Sequence, residues 1–245
     1  MFYFHQFYSA TLMEYARNSK DRYALLPGYD THFMTADVKE EYIKVNGSRI
    51  FHRYHYDEKN KSNIVMLHGW SFTSLNWQEI GSFEKFNYLS MNAYAFDYPG
   101  FGKSPPSEKY RIERGEISNG PKLLRDYMKN VGLSHAHIMG ASMGGGMVLK
   151  AGYTYPDIID SIIAVAPAWV ENDVDNLKKI RKPVLMVWGS DDTVVPPSLG
   201  KKYLEAIKGS RLEIVAGSKH PVYIEKTEEF FKIVSDFLTG KGTGK

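Results

Sequence analysis

The chain has 245 residues, 43% hydrophobic and 24% charged, with a net charge of +3 and no cysteine. That length and composition fit one globular α/β domain with an appendage, and they exclude a disulfide framework, a thiolate nucleophile and Cys-ligated zinc. So small a charge, without a dense basic run, argues against nucleic-acid and anionic-membrane partners. No segment reaches the roughly 18 uninterrupted apolar residues of a membrane span. The aromatic N-terminus lacks the basic and aliphatic regions of a secretory signal, and the cytoplasm is the expected location.

Residues 1–40 read as an N-terminal extension. Phe4, Phe7, Tyr8, Leu12 and Tyr15 recur at helical spacing, so a helix packed on its own domain is the simplest expectation. A homodimer contact and a flap over the active site are the sharper alternatives. Residues 41–45 and 49–54 alternate around Asn46-Gly47, a two-strand hairpin signal. His52 and His55 fall on opposite faces of the second strand. That spacing argues against a shared metal and predicts partly exposed histidines.

Residues 63–67 form an unbroken apolar run, as a strand buried on both faces requires. A helix is expected over 73–80, a second buried strand over 93–96 and a helix around 117–131. Further strands are expected at 136–139, 158–164, 183–188 and 212–215, with helices near 197–207 and 224–238. The polar stretch 240–245 reads as a flexible tail. Strands alternating with helices define a doubly wound, mostly parallel sheet of about eight strands with helices on both faces.

The chemistry centres on Gly140-Ala141-Ser142-Met143-Gly144, a G-x-S-x-G pattern between a strand and a glycine-rich helix start. A serine at the tip of so sharp a turn projects its hydroxyl from the sheet edge, and Gly140 and Gly144 sit where a Cβ would collide. The helix start turns free N–H groups toward a developing oxyanion. A serine hydroxyl needs a base held in one tautomer by a carboxylate. His220, in the turn after the strand ending at Val215, is the strongest candidate among the histidines. Asp191 and Asp192 follow the preceding strand and compete for the carboxylate role. His68 reads as a residue ordering its loop, and His135 and His137 as ordinary strand-edge residues.

In these motifs the sequence resembles the α/β-hydrolase superfamily over roughly residues 41–239. The resemblance implies Asp192 as the acid of a G-x-x-D-x-x-V-P motif and His220 as the base of G-x-x-H-P. It implies Trp70, third in the turn His68-Gly69-Trp70, and Met143 as donors of the two backbone N–H groups of an oxyanion hole. The stretch Asp97 to Ser104 matches D-x-x-G-x-G-x-S and implies a structural turn beside the site. Serine at the elbow separates the chain from aspartate-dependent epoxide hydrolases and dehalogenases. Between the strands at 158–164 and 183–188 there is room for one short helix and no large cap. The resulting expectation is a carboxylesterase-like serine hydrolase acting on a small-molecule acyl substrate without cofactor or metal. Phe72, Trp169 and Tyr223, with Trp70 and the Met143 side chain, are candidates for the acyl pocket or for ordinary packing.

Overall fold

The computed structural model describes residues 36–241. The expected helix within 1–35 and the last four residues of the expected tail lie outside the described residues. The first strand starts at Lys39, so the last two residues of the expected extension belong to the sheet.

Apolar runs and turn residues fix the strands. β1 (Lys39–Val45) and β2 (Ser48–His55) pair antiparallel through the two-residue turn Asn46-Gly47. Both turn residues have positive φ, 47° and 94°, the geometry that matches strand twist in a tight hairpin. β3 (Ser62–Leu67), β4 (Met91–Phe96), β5 (Ala136–Ala141), β6 (Ile159–Val165), β7 (Val184–Gly189) and β8 (Arg211–Val215) run parallel to one another. The sheet order is β1-β2-β4-β3-β5-β6-β7-β8. β4 and β3 are swapped relative to chain order, and β5 starts the run in the opposite direction across the sheet. Crevices at the carboxyl ends of strands form beside such a switch.

Each buried strand feeds two cores, which is why the sequence shows runs rather than alternation. In β3, Val65 and Leu67 face one core while Ile64 and Met66 face the other. The first core lies under α3 (Asn119–Asn130), α4 (Met143–Thr154), α5 (Val174–Leu177) and α6 (Ser198–Ala206). The second lies under α1 (Leu75–Glu79), α2 (Ser82–Tyr88), α7 (Val222–Glu225) and α8 (Thr227–Leu238).

Three local expectations are corrected. α2 sits where no element was expected; Phe83 and Phe86 anchor it in the second core, and seven residues are too few for a clear helical period. The expected helix at 224–238 is two, α7 and α8, interrupted at Lys226, which has φ −127°. His52 and His55 are buried, not partly exposed, at 3% and 7%. His52 Nδ1 bonds the Tyr127 hydroxyl (2.9 Å), and His55 Nδ1 bonds the Asp37 carbonyl (3.2 Å). As expected from the short connection, β6 and β7 are joined by a segment holding only α5, with no large cap.

Candidate active site

β5 delivers Ser142 to the carboxyl edge of the sheet, and α4 begins with the next residue. Ser142 has φ 54° and ψ −114°, a conformation that L-residues rarely adopt and that costs on the order of 1–3 kcal/mol. Its main chain is pinned from both sides. Its N–H donates to the Val165 carbonyl (2.8 Å), and its carbonyl accepts from Gly146 N–H (2.9 Å) and Ala168 N–H (3.0 Å). A Cβ on Gly140 would lie 2.2 Å from the Gly144 carbonyl oxygen, and one on Gly144 would lie 2.4 Å from the Leu67 carbonyl oxygen. Strand and helix touch there, so only glycine fits.

The turn after β3 lies against the elbow: a Cβ on Gly69 would come 3.5 Å from Ser142 Cβ. His68, fully desolvated, fixes this turn. Its Nδ1–H donates to the Gly69 carbonyl (2.8 Å), and its Nε2 accepts from Tyr98 N–H (3.2 Å). Those two bonds require the neutral Nδ1–H tautomer, and burial depresses the pKa so that the ring stays neutral.

Asp97 secures the far side of the same turn. Its carboxylate accepts from Ser74 N–H (2.7 Å), Ser74 Oγ (2.6 Å) and Lys103 N–H (2.9 Å). Arg53 Nη1 in turn donates to Ser74 Oγ (2.6 Å), which ties the buried guanidinium of β2 to the loop. The sequence reading missed Arg53 and Ser74, because a long-range side-chain bond leaves no local pattern. Neither Trp70 N–H nor Met143 N–H has a hydrogen-bond acceptor among the described residues.

The third and fourth functional loops follow β7 and β8. A Cβ on Gly189 would lie 2.2 Å from the Ser218 carbonyl oxygen and 2.3 Å from that of Lys219, so the loop carrying His220 is pressed onto the end of β7. Asp192 is buried there. Its Oδ1 accepts from Val194 N–H (2.8 Å) and Val195 N–H (2.9 Å), and its Oδ2 bonds His220 Nδ1 (2.7 Å). Asp191 is exposed and accepts from the Ser190 hydroxyl (2.6 Å), with no bond to His220 among the described residues. The structure therefore pairs His220 with Asp192 and leaves its Nε2 for another partner. Ser142 Oγ makes no hydrogen bond to His220 or to any other described residue.

The pocket candidates divide. Trp70 and Trp169 meet edge to face, with centroids 5.6 Å apart, and Trp70 meets Phe101 likewise at 5.2 Å. All three rings are half-buried. Trp169 has φ 64°, and its N–H donates to Glu171 Oε1 (3.2 Å). The Met143 side chain is fully buried in the first core. Tyr223 is packed in the second core, 4.9 Å from Trp77. It stands behind half-buried Phe72, at 6.3 Å. His137 bonds Ser161 Oγ (2.7 Å) and His135 pairs with Asp160 (2.8 Å), both at strand starts away from this edge.

A doubly wound sheet in this order, with serine at the strand–helix elbow and histidine and aspartate on later loops, defines a class. The chain belongs to the α/β-hydrolase superfamily and is a hydrolase: residues 63–179 match the family model for the alpha/beta hydrolase fold, and residues 164–243 match that of TAP-like proteins. Among solved structures, a predicted CIB-like hydrolase from Thermoplasma acidophilum is 52% identical with a TM-score of 0.81, covering 83% of this chain and 99% of its own. The human putative protein-lysine deacylase ABHD14B is 25% identical over 84% of this chain and 98% of its own length. The protein ABHD14A of Danio rerio is 26% identical over 72% of this chain, which spans 64% of that protein. Among the described residues no helix is long and apolar enough to cross a membrane.

Proposed function

We propose that the protein cleaves carboxylic esters of small or medium acyl chains through an acyl-enzyme on Ser142. The observation that carries this reading is the 2.7 Å bond from His220 Nδ1 to buried Asp192. That bond orients the ring and leaves its other nitrogen free, and His220 stands on a loop at the same carboxyl edge of the sheet as Ser142, which supports the reading. In the proposed reaction His220 Nε2 takes the Ser142 proton as Oγ attacks the ester carbonyl. The N–H groups of Trp70 and Met143 receive the oxyanion, a contribution worth about 10²–10³ in rate per donor at such sites. His220 then protonates the leaving alcohol, and water releases the acid by the same route. Trp70, Trp169 and Phe72 are assigned to the wall that holds the acyl group, with Tyr223 supporting Phe72 from the core.

N-deacylation of acyl-lysine is the second reading. It rests on the name of ABHD14B, 25% identical to this chain, and needs the same acyl-enzyme with an amine leaving. Thioester cleavage or perhydrolysis would use the same side chains, whereas an interaction protein on this scaffold would need none of them. The deciding experiment is turnover of nitrophenyl esters of increasing chain length beside an acetyl-lysine peptide, by wild type and Ser142→Ala. Ester turnover lost in Ser142→Ala supports the proposal. Amide turnover alone moves it to the second reading, and activity that survives the substitution overturns both. A serine-directed fluorophosphonate that fails to label the folded protein would favour the non-catalytic reading.

A further inference from the structure

Sheet order decides what meets beside Ser142. β5 lies between β3 and β6, so the loops after those two strands flank the elbow from opposite sides. Each brings an indole to it. The loop after β3 touches the elbow at Gly69, where a Cβ would lie 3.5 Å from Ser142 Cβ, and Trp70 is the next residue. The loop after β6 is fixed at Ala168, whose N–H donates to the Ser142 carbonyl (3.0 Å). The Ala168 carbonyl oxygen would lie 2.1 Å from a Cβ on Gly146, so this loop is pressed onto the start of α4. Trp169 follows, and the two rings meet edge to face with 5.6 Å between centroids and 80° between planes.

Each ring is held from behind. Trp70 meets Phe101 at 5.2 Å, and Phe101 lies against the His68 ring (5.5 Å) and fully buried Tyr98 (6.3 Å). Trp169 packs against the first core. Its φ of 64° is supported by the Ala168 bond and by its own N–H donating to Glu171 Oε1 (3.2 Å). Strain of that kind in a residue other than glycine gathers at active sites and ligand clamps. A methylene touching two rings needs about 3.5–4 Å to each, hence roughly 7 Å between them. At 5.6 Å the indoles are too close for an alkyl chain to pass between them.

We propose that the Trp70–Trp169 contact is the end wall of the acyl site, that it restricts the substrate to acetyl and propionyl groups, and that Trp169 sets this limit. The inference rests on the acyl-enzyme reading with Ser142 as nucleophile. The direction of the acyl group follows from the two cores. His220 leads into α7, whose Val222 and Tyr223 lie in the second core, whereas Trp70 and Trp169 pack against the first. A leaving group protonated by His220 departs on the second-core side, and the acyl substituent extends toward the indoles. Trp70 is enclosed between two rings, while Trp169 ends the row, so Trp169 is the member whose truncation lengthens the site.

The test is kcat/KM for the nitrophenyl esters of acetate, butanoate, hexanoate and octanoate, with the full chain and its Trp169→Ala and Trp169→Phe variants. The ratio of hexanoate to acetate within one protein cancels any general loss of activity. Wild type should lose at least about tenfold from acetate to hexanoate, the scale of discrimination by a closed apolar pocket. Trp169→Ala should raise the hexanoate-to-acetate ratio at least about tenfold, and Trp169→Phe, which keeps a ring on the loop, should raise it by less. A wild-type optimum at hexanoate or octanoate overturns the proposal, as does a ratio that neither variant moves while Ser142-dependent turnover persists. Loss of Ser142-dependent turnover with every ester in wild type is a different result: it overturns the ester reading itself, and this inference with it.

Discussion

The two edges of the parallel sheet differ in how they treat their backbone. At the carboxyl edge the chain tolerates strain: Ser142, Ala166 and Trp169 all hold positive φ without being glycine. Trp70 and Met143 present N–H groups with no acceptor among the described residues. At the opposite edge Asn92 donates to Asn63, and the Tyr54 and Tyr94 rings stack. Strain and unspent donors persist only where the surroundings enforce them. Three of the five non-glycine residues with positive φ among the described residues gather at the carboxyl edge together with these two N–H groups, whereas the other two, Asn46 and Ser90, sit in the turns that lead into β2 and β4.

Breaking the carboxyl edge should produce the largest effects. Ser142→Ala is expected to cost on the order of 10⁶ in kcat, the scale seen when a serine nucleophile is removed, with unfolding midpoints close to wild type. Residual ester turnover near the wild-type rate would remove Ser142 from the mechanism. Next comes the carboxylate. Asp192→Asn should lower kcat by about 10⁴ by upsetting the His220 tautomer, whereas Asp191→Asn, at an exposed side chain bonded to the Ser190 hydroxyl, should stay within a few-fold. A larger loss from Asp191→Asn reverses the assignment.

Smaller effects sharpen the packing side of the contrast. Gly144→Ala pushes a methyl group to 2.4 Å from the Leu67 carbonyl oxygen and should destabilise by about 1–3 kcal/mol, read from urea midpoints. His52 and His68 are held neutral by burial, below their ordinary value of 6.5. The unfolded chain therefore binds protons below about pH 6.5 that the folded chain refuses. Stability should fall as pH drops through that window, by at most about 1.4 kcal/mol per pH unit for each histidine. His52→Gln should flatten part of the slope between pH 7.5 and 5.5; an unchanged slope would exclude His52 as a source. Last, Ser142→Gly should abolish activity yet raise stability over Ser142→Ala by about 1 kcal/mol, because glycine holds the elbow conformation without strain.

Much of this was legible in the chain because the physics is local. Unbroken apolar runs marked the buried strands, Asn46-Gly47 marked the hairpin, and Gly140 and Gly144 marked a contact too close for a side chain. Residue type and position after β7 left Asp191 and Asp192 competing, and the resemblance to G-x-x-D-x-x-V-P pointed to Asp192; in three dimensions Asp192 is the buried one, bonded to His220. α2 was too short to show a period. The burial of His52 came from Tyr127 across the fold, which strand alternation does not report.

The sequence by itself determined which segments become strands and which turns are tight, since backbone sterics and the side-chain period act over a few residues. It also determined the family, through motifs that each encode a local geometry. Only the tertiary structure decided that Arg53 braces the loop after β3 through Ser74, and that Tyr223 lies in the core while Trp169 faces Trp70. Those outcomes depend on strand order, which brings residues far apart in the chain within hydrogen-bond distance and leaves no trace in local spacing.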